Sequence, residues 1–328
     1  MLRIGARSNH LESAGTLMWR YILKRILILI PLIFLVSFIV FALMDIAPGD
    51  PVRALVGENM TEEQIEIKRE ELGFNDPLLV RYFRYIGGVL KGDFGKTLYG
   101  EKDVLHEYMT RLPYTLKLAV ISILFTLMIS IPLGILAAVK QNTWIDNLSS
   151  GLAMLGLSIP GFWLGLMLIL LFAQKLRWFP TYGARDGILS YILPAITLGV
   201  ANASLLTRMT RSSMLDTIRQ DYLRTVRAKG VAEKSVILKH ALKNALVPII
   251  TITGSQFSGL LGGAIVVENV FSWPGIGTLT IDAIKQHDIT LATGCAVLTT
   301  VLTAIILLLV DVLYAYIDPR IKAKYSGR

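Results

Sequence analysis

The chain alternates between long apolar runs and charged segments. Six runs of 19 to 28 residues contain no Asp, Glu, Lys or Arg, and they cover 26–44, 118–139, 147–174, 187–207, 244–267 and 289–310. A helix needs roughly 20 apolar residues to cross the hydrocarbon core of a bilayer, where unpaired backbone groups are not tolerated. The pattern therefore predicts an all-α polytopic membrane protein with six transmembrane helices, rather than a soluble protein with six buried helices.

These runs predict the organisation of the chain. Residues 1–17 are polar and patternless, and we expect a disordered N-terminal extension there. We predict a first transmembrane helix at 18–47, a lobe at 48–111, a membrane core at 112–318 and a tail at 319–328. Within the core we expect helices at about 114–139, 147–175, 188–209, 246–268 and 290–317, with a helical elbow at 212–246.

The lobe carries a helix-start signal. Thr61 stands three residues before Gln64, which is the spacing of a capping box. The helix that follows should reach about Leu72 and stop at Gly73, because glycine accepts the conformation of a helix end. The lobe is too short for an enzyme domain.

Charge gives the expected orientation. The chain has 33 Lys and Arg against 24 Asp and Glu, a net charge of +9. Among its short segments, basic residues concentrate before the first helix, in 208–243 and after 318. By the positive-inside rule these segments and both termini are expected to be cytoplasmic, with the lobe outside. Basic loops account for the charge, so no nucleic-acid partner is expected.

Residues that could carry catalysis or a metal are sparse. The single cysteine, Cys295, lies inside an apolar run, and the four histidines are too scattered for a metal site. Gly95 and Lys96 resemble the end of a phosphate-binding loop, but Leu90 stands where that loop requires its first glycine. We therefore expect no catalytic residue, metal or cofactor on this chain.

The basic segment after residue 208 has helical periodicity. Leu215, Ile218, Tyr222 and Val226 recur at spacings of three and four, which predicts an amphipathic helix over 212–228. Gly230 then supplies a stop, and a second helix is expected at 232–246. Periodicity alone leaves open whether this elbow docks on a partner protein or lies on anionic lipid.

Residues 221–230 (DYLRTVRAKG) and 240–248 (HALKNALVP) closely resemble the ATPase-coupling motif of ABC importer permeases. The displaced Pro248 is typical of the peptide/nickel/opine branch, and the lobe after the first helix is similar to its "B" permeases. Further matching pieces lie at 47–51, 92–95, 111–116, 158–160, 208–216, 271–277, 311–314 and 318–320. The segment 287–290 (HDIT) departs from the RDYP usual in that branch.

This resemblance implies a type I ABC importer permease in the bacterial cytoplasmic membrane. Its expected partners are a homologous second permease, two ATP-binding subunits that hold ATP and Mg²⁺, an extracytoplasmic solute-binding protein and the lipid bilayer. Di- or oligopeptides are the expected substrate, with a nickel chelate or another small solute as the alternative. A secondary transporter is the rival class, and the chain shows no internal repeat to favour it.

Three groups of candidate site residues follow. The resemblance assigns ATPase coupling to Asp221, Tyr222, Arg224, Thr225, Arg227, Ala228, Lys229 and Gly230. The interruption of the third run and the small polar stretch of the fifth make pathway or gate candidates of Ser158, Pro160, Gly161, Gly254, Ser255, Gln256 and Ser258, with helix packing as the alternative role of Gly161. The candidates on the receptor side are Phe271, Trp273, Pro274 and Gly275.

Overall fold

The computed structural model of the protein describes residues 5–56 and 61–317, and within them the chain is built from α-helices joined by turns and loops. No strand forms in this described part, where Lys96 and Asp103 make an isolated antiparallel bridge. In chain order the α-helices are α1 (Gly5–Ile46), α2 (Pro51–Val56), α3 (Glu62–Glu71), α4 (Leu78–Val89), α5 (Val104–Val139), α6 (Trp144–Ser158), α7 (Gly161–Leu168), α8 (Ile188–Ile218), α9 (Asp221–Ala228), α10 (Glu233–Ser235), α11 (Leu242–Val270), α12 (Ile276–Lys285) and α13 (Ile289–Ile317). Two π-helical segments, Ile169–Lys175 and Val236–Ala241, continue α7 and α10.

Five helices are long and apolar enough to cross a membrane. Within the described residues they cover Leu27–Ile46, Val104–Val139, Ile188–Ile218, Glu233–Leu260 and Ile289–Val310. The remaining predicted span, the third in chain order, consists of two helices, Trp144–Ser158 and Gly161–Lys175, that meet at 99°. We call the end of this bundle that carries residues 48–103 the lobe end, and the end that carries residues 219–232 the elbow end.

The bent span is broken at Ile159 and Pro160. Pro160 has no N–H to donate, and it disfavours the helical conformation of the residue before it. Both residues are extended, with ψ of 122° at Ile159 and 130° at Pro160, and a new helix starts at Gly161. The predicted helix over 147–175 is therefore two helices, and the interruption expected at Pro160 is a sharp bend and not only a kink.

Several helix boundaries differ from the predicted ones. α5 begins at Val104 instead of about 114, because the Asp103 carboxylate caps it by accepting the N–H of His106 at 2.8 Å. Pro113 lies inside that helix instead of starting it. α1 begins at Gly5, so helix occupies most of the segment expected to be disordered. The predicted tail, 319–328, lies outside the described residues.

The lobe starts its helix where the sequence predicts. The Thr61 hydroxyl accepts the N–H of Gln64 at 3.4 Å, and the Gln64 side chain accepts the N–H of Thr61 at 3.0 Å. This is a complete capping box. Gly73 has a φ of +72°, as a glycine that ends a helix commonly does. Both local predictions for α3 are confirmed.

Three clusters of buried apolar side chains hold the helices together. One at the lobe end joins α1, α4, α5, α12 and α13 around Phe41, Tyr82 and Tyr108. A central cluster joins α5, α8 and α11 around Leu118 and Leu193. The third lies at the elbow end and packs α9 against α8 and the Val236–Ala241 segment. Both the lobe and the elbow are thus anchored to the membrane core by packing.

A buried carboxylate fixes α12 at the lobe end. Glu268, near the end of α11, has no exposed surface. It accepts the hydroxyl of Thr115 at 2.6 Å and the backbone N–H groups of Gly277 at 2.7 Å and Thr278 at 3.3 Å. These N–H groups belong to the first turn of α12, whose positive dipole end favours a negative charge. A side chain at Gly275 would displace the carboxylate, because a Cβ there would overlap it.

We expect Glu268→Ala to destabilise the protein by about 3 kcal/mol, because it leaves a buried hydroxyl and two buried N–H groups without an acceptor. Glu268→Gln keeps one acceptor oxygen and should cost about half as much. The free energy of unfolding in lipid bicelles measures both. Glu63→Ala, on the exposed face of α3, is the matched control, and equal stability of all three variants would contradict this role.

Candidate functional site

The elbow between α8 and α10 exposes one face of a short helix. In α9 the exposed residues recur at intervals of three and four, which places them side by side on one face. They are Asp221, Arg224, Thr225, Ala228 and Lys229. Asp221 and Arg224 are 93% and 80% exposed and lie 3.5 Å apart. We call these five residues the α9 face.

The opposite side of α9 is anchored in the elbow-end cluster. Leu223 is fully buried there with Met214, Val236 and Ala241. The predicted apolar stripe of Leu215, Ile218, Tyr222 and Val226 packs half-buried against the same cluster, as its spacing indicates. Leu223, the most buried residue of α9, was missed because the predicted stripe followed the register of α8, and the break after Ile218 changes that register.

The elbow is divided differently from the prediction. Residues 212–218 end α8, and the extended Gln220, with ψ of 144°, separates them from α9. The predicted helix over 212–228 is therefore two helices. The predicted second helix, 232–246, is not separate either, because helix continues from Glu233 into α11 and Pro248 lies inside α11. No glycine between residues 233 and 248 interrupts it.

Three coupling candidates help to hold the elbow together. The Tyr222 hydroxyl donates to the carbonyl of His240 at 3.2 Å and accepts from Asn244 at 2.7 Å. Arg227 donates twice to Glu233, at 2.9 and 3.0 Å, and these bonds raise the pKa of its guanidinium above the ordinary value. Gly230 has a φ of +76°, which only glycine adopts without strain. These residues hold α9 in place and leave the α9 face free.

An ion pair that the sequence analysis missed ties α6 to α8 just before the elbow. Asp146 is buried and accepts two hydrogen bonds from Arg211, at 2.5 and 2.7 Å, and the N–H of Asn142 at 3.0 Å. Arg219, at the end of α8, reaches Gln141 at 3.3 Å. Asp146 stood only at the edge of an apolar run, and no local pattern marked Arg211 as its partner.

The pathway candidates do not share one surface. Ser158, Pro160 and Gly161 are exposed at the bend between α6 and α7. In α11, Ser255 is exposed and Gly254 half-buried, whereas Gln256 and Ser258 are buried. The Gln256 amide donates to the carbonyl of Asn202 at 3.0 Å and so joins α11 to α8. Ser255 lies in an exposed row with Gly259 and Gly262, at spacings of four and three.

The receptor-side candidates form a buried turn around Glu268. Phe271 and Trp273 are 2% and 0% exposed, and the Trp273 indole donates to the carbonyl of Tyr114 at 3.3 Å. Gly275 is buried beside the Glu268 carboxylate. Pro274 is half-buried and is the candidate in this turn with a side chain at the surface. The placement of the other three fits a structural role.

Within the described residues, no group of three or more His, Cys, Asp and Glu side chains could hold a metal ion.

Comparison with known proteins identifies relatives along nearly the whole chain. The model of a family described as "binding-protein-dependent transport system inner membrane component" matches residues 130–323, and the model of the corresponding N-terminal region matches 18–119. The glutathione transport system permease protein GsiC of Salmonella paratyphi A (strain ATCC 9150 / SARB42) is 44% identical over 307 residues, which are 94% of this chain and 100% of the relative. GsiC of Escherichia coli (strain K12) is 43% identical with the same coverage.

Among solved structures, an inward-facing form of the MetNI methionine ABC transporter shares this fold. A chain of its native crystal form aligns with a TM-score of 0.56 and 19% identity over 65% of this chain and 97% of its own length. A second crystal form gives a TM-score of 0.57 at 19% identity, over 65% of this chain and 96% of that chain. The type I permease fold expected from the sequence is confirmed.

We expect the two partners of the α6–α8 ion pair to respond unequally to truncation. Arg211→Ala leaves the Asp146 carboxylate buried without a cation and should cost about 3 kcal/mol. Asp146→Ala should cost less, because Arg211 is 29% exposed and can be hydrated. Measured free energies of unfolding for both variants and the double variant test this. Arg208→Ala, one turn earlier and exposed, is the control, and additive losses would contradict a specific pair.

Proposed function

Because this chain belongs to the family of binding-protein-dependent transport system inner membrane components, in its peptide/nickel branch, we propose that it forms half of the translocation pathway of an ATP-driven importer. A homologous second permease forms the other half. Two cytoplasmic ATP-binding subunits hold ATP and Mg²⁺, and an extracytoplasmic solute-binding protein delivers the solute. This chain itself catalyses no reaction.

The observation that carries this proposal is the α9 face. Its five exposed residues include both acidic and basic side chains. The other side of the helix is anchored by the buried Leu223, and the Arg227–Glu233 pair ties it to the start of α10. A short helix held this rigidly can dock in a cleft of an ATP-binding subunit and pass on its movement. An interfacial lipid helix would instead present an apolar face outward, and the apolar side of α9 is occupied by the protein core.

The movement has a direct route into the membrane. α9 follows α8 after two residues, and α8 is tied to α6 by Asp146 and Arg211. A displaced α9 therefore moves α8 and α6 together, and α6 leads to the bend at Pro160. We assign the pathway to the exposed candidates Ser158, Pro160, Gly161 and Ser255, which can face a solute, and interhelical support to Gln256 and Ser258.

The orientation follows from the same assignment. ATP-binding subunits act in the cytoplasm, so an α9 face that docks on them places the elbow end there, together with both termini. The basic residues of 208–243 agree with this side, since positive charge is retained in the cytoplasm. The lobe end then faces the solute-binding protein, with Pro274 near the receptor surface.

The substrate that we propose is a short peptide of the glutathione type. The support is the 43–44% identity to glutathione permeases over 94% of this chain. Such a solute is compact and polar, and it carries carboxylate and ammonium groups. A pathway row of small residues, such as Ser255, Gly259 and Gly262, leaves room for it and offers hydroxyl and backbone groups as hydrogen-bonding partners.

Substitution of Ala228 tests docking without disturbing the fold. Ala228 is exposed on the α9 face, so Ala228→Trp should leave membrane insertion intact. We expect it to block co-purification of the ATP-binding subunits and to lower uptake at least tenfold, because the indole fills the space of the partner's cleft. Ala228→Ser is the size-matched control and should retain both properties. Normal assembly and uptake in the Trp variant would exclude docking through this face.

The peptide substrate is tested by ATP hydrolysis in the reconstituted transporter with its solute-binding protein. We expect glutathione or a plain tripeptide to stimulate hydrolysis several-fold and free Ni²⁺ or its histidine chelate to leave it at the basal rate. Stimulation by the nickel chelate and none by peptides would show that the substrate is a nickel chelate and not a peptide.

A further inference from the structure

The helix α4 in the lobe has three distinct sides. One side faces the protein through Leu78, Tyr82, Tyr85, Ile86 and Val89. A second side is charged and carries Arg81, Arg84 and Lys91. The third is apolar and exposed: Leu79 is 55%, Val80 48%, Phe83 65% and Leu90 74% exposed, and Gly87 lies among them. At 100° per residue, the apolar and charged sides lie on opposite flanks of the side that faces the protein.

The contacts of α4 fix its depth along the bundle. The Tyr85 ring lies 6.1 Å from that of Phe41, and its hydroxyl is 3.6 Å from the place of a Cβ on Gly294. Phe41 precedes the last residue of α1 by five positions, and Gly294 follows the first residue of α13 by five. Each position is therefore about 7.5 Å inside the lobe end of its helix. Both flanking helices are apolar membrane spans there.

Two neighbouring side chains give the direction in which the flanks point. Arg81, on the charged flank, pairs with Asp45 at the end of α1. Tyr82, beside the apolar flank, reaches the other way, and its hydroxyl lies 2.9 Å from the carbonyl of Phe34 and 2.9 Å from the Ser37 hydroxyl. Phe34 lies roughly 18 Å below the end of α1, well inside its apolar run. The charged flank thus points towards water and the apolar flank towards the membrane interior.

From this geometry we infer that α4 lies in the leaflet at the lobe end, as an interfacial helix whose apolar side, Leu79, Val80, Phe83, Gly87 and Leu90, is covered by lipid. An interfacial helix typically sinks its apolar face about 5–10 Å into the boundary between headgroups and acyl chains, and α4 has that depth. α1 also exposes apolar side chains in this half of the bundle, at Leu35, Ile39 and Leu43. A water-borne binding protein cannot reach side chains at this depth.

The consequence concerns the lobe as a whole. α4 connects through the Arg84–Asp76 pair to the turn that follows α3, and through Arg81 and Tyr82 to α1. Lipid therefore sets the height of the lobe above the bundle, and the lobe is held at the membrane surface instead of projecting freely into water. Its exposed charged helix, α3, is the part left to meet water.

Spin labels on the complete transporter in nanodiscs of phosphatidylethanolamine and phosphatidylglycerol test this placement. Phe83→Cys, in a Cys295→Ser background, carries the label; Leu35→Cys is the lipid reference and Glu70→Cys, on α3, the water reference. We expect the Phe83 label to collide with oxygen much more often than with a water-soluble nickel chelate, as the Leu35 label does. Leu79→Cys repeats the measurement on the same side of α4.

Two results would overturn the inference. A Phe83 label as accessible to the nickel chelate as the Glu70 label would place α4 in water. A label shielded from both oxygen and nickel would show that another protein chain, and not lipid, covers this side. The Cys295→Ser chain without an introduced cysteine gives the background labelling.

Discussion

The hydrocarbon core dictates this structure, because every backbone N–H and C=O inside it must find a partner within the protein. Long helices satisfy the requirement between their ends, and acidic side chains satisfy it at three helix starts of the lobe end. Asp103 accepts an N–H at the start of α5, Glu268 two at the start of α12, and Asp288 that of Leu291 at the start of α13. Two of these carboxylates also reach across the fold, since Glu268 accepts from Thr115 and Asp288 from Leu98.

At the elbow end the constraint is mechanical rather than one of solvation. A segment that transmits force must not yield between the point where it is pushed and the helices it moves. α9 meets this condition with Leu223 in the core, Tyr222 tied to His240, and the Arg227–Glu233 pair across the Gly230 turn. The exposed residues of α9 pair with one another and not with the core. In the proposed mechanism, the α6–α8 ion pair carries displacement further into the bundle.

Local rules predicted what local interactions decide. The Thr61 capping box and the stop at Gly230 each depend on residues within a few positions, and the structure has them where the sequence places them. Five of the six apolar runs likewise lie in single long helices. The coupling motif also lies on an exposed helix. Hydrophobic patterning indicated that α9 is amphipathic. It did not predict which residues of α9 face the core, because the break at Gln220 determines that.

Long-range contacts escaped the sequence analysis for a physical reason. Asp146 and Arg211 are 65 residues apart. The residues next to Asp146 do not show whether it forms a buried ion pair or only marks the end of an apolar run. Phe271 and Trp273 were expected on the receptor side, in a Trp-Pro-Gly turn that matches the family's sequences. The buried Glu268 instead draws that turn inward. The angle of the bend at Pro160 also depends on long-range contacts, because it is set by how α6 and α7 pack against the other helices.

The central claim, that the α9 face docks on an ATP-binding subunit, is tested most directly by crosslinking in native membranes. Thr225→Cys places a thiol in the middle of this face, and Lys239→Cys places one on the exposed π-helical segment outside it. With Cys295 replaced by Ser, a maleimide that carries a benzophenone, which on illumination inserts into C–H bonds of a nearby chain, should join position 225 to the ATP-binding subunit in high yield and position 239 poorly. Equal yields at the two positions, or a crosslink from position 239 alone, would contradict the docking.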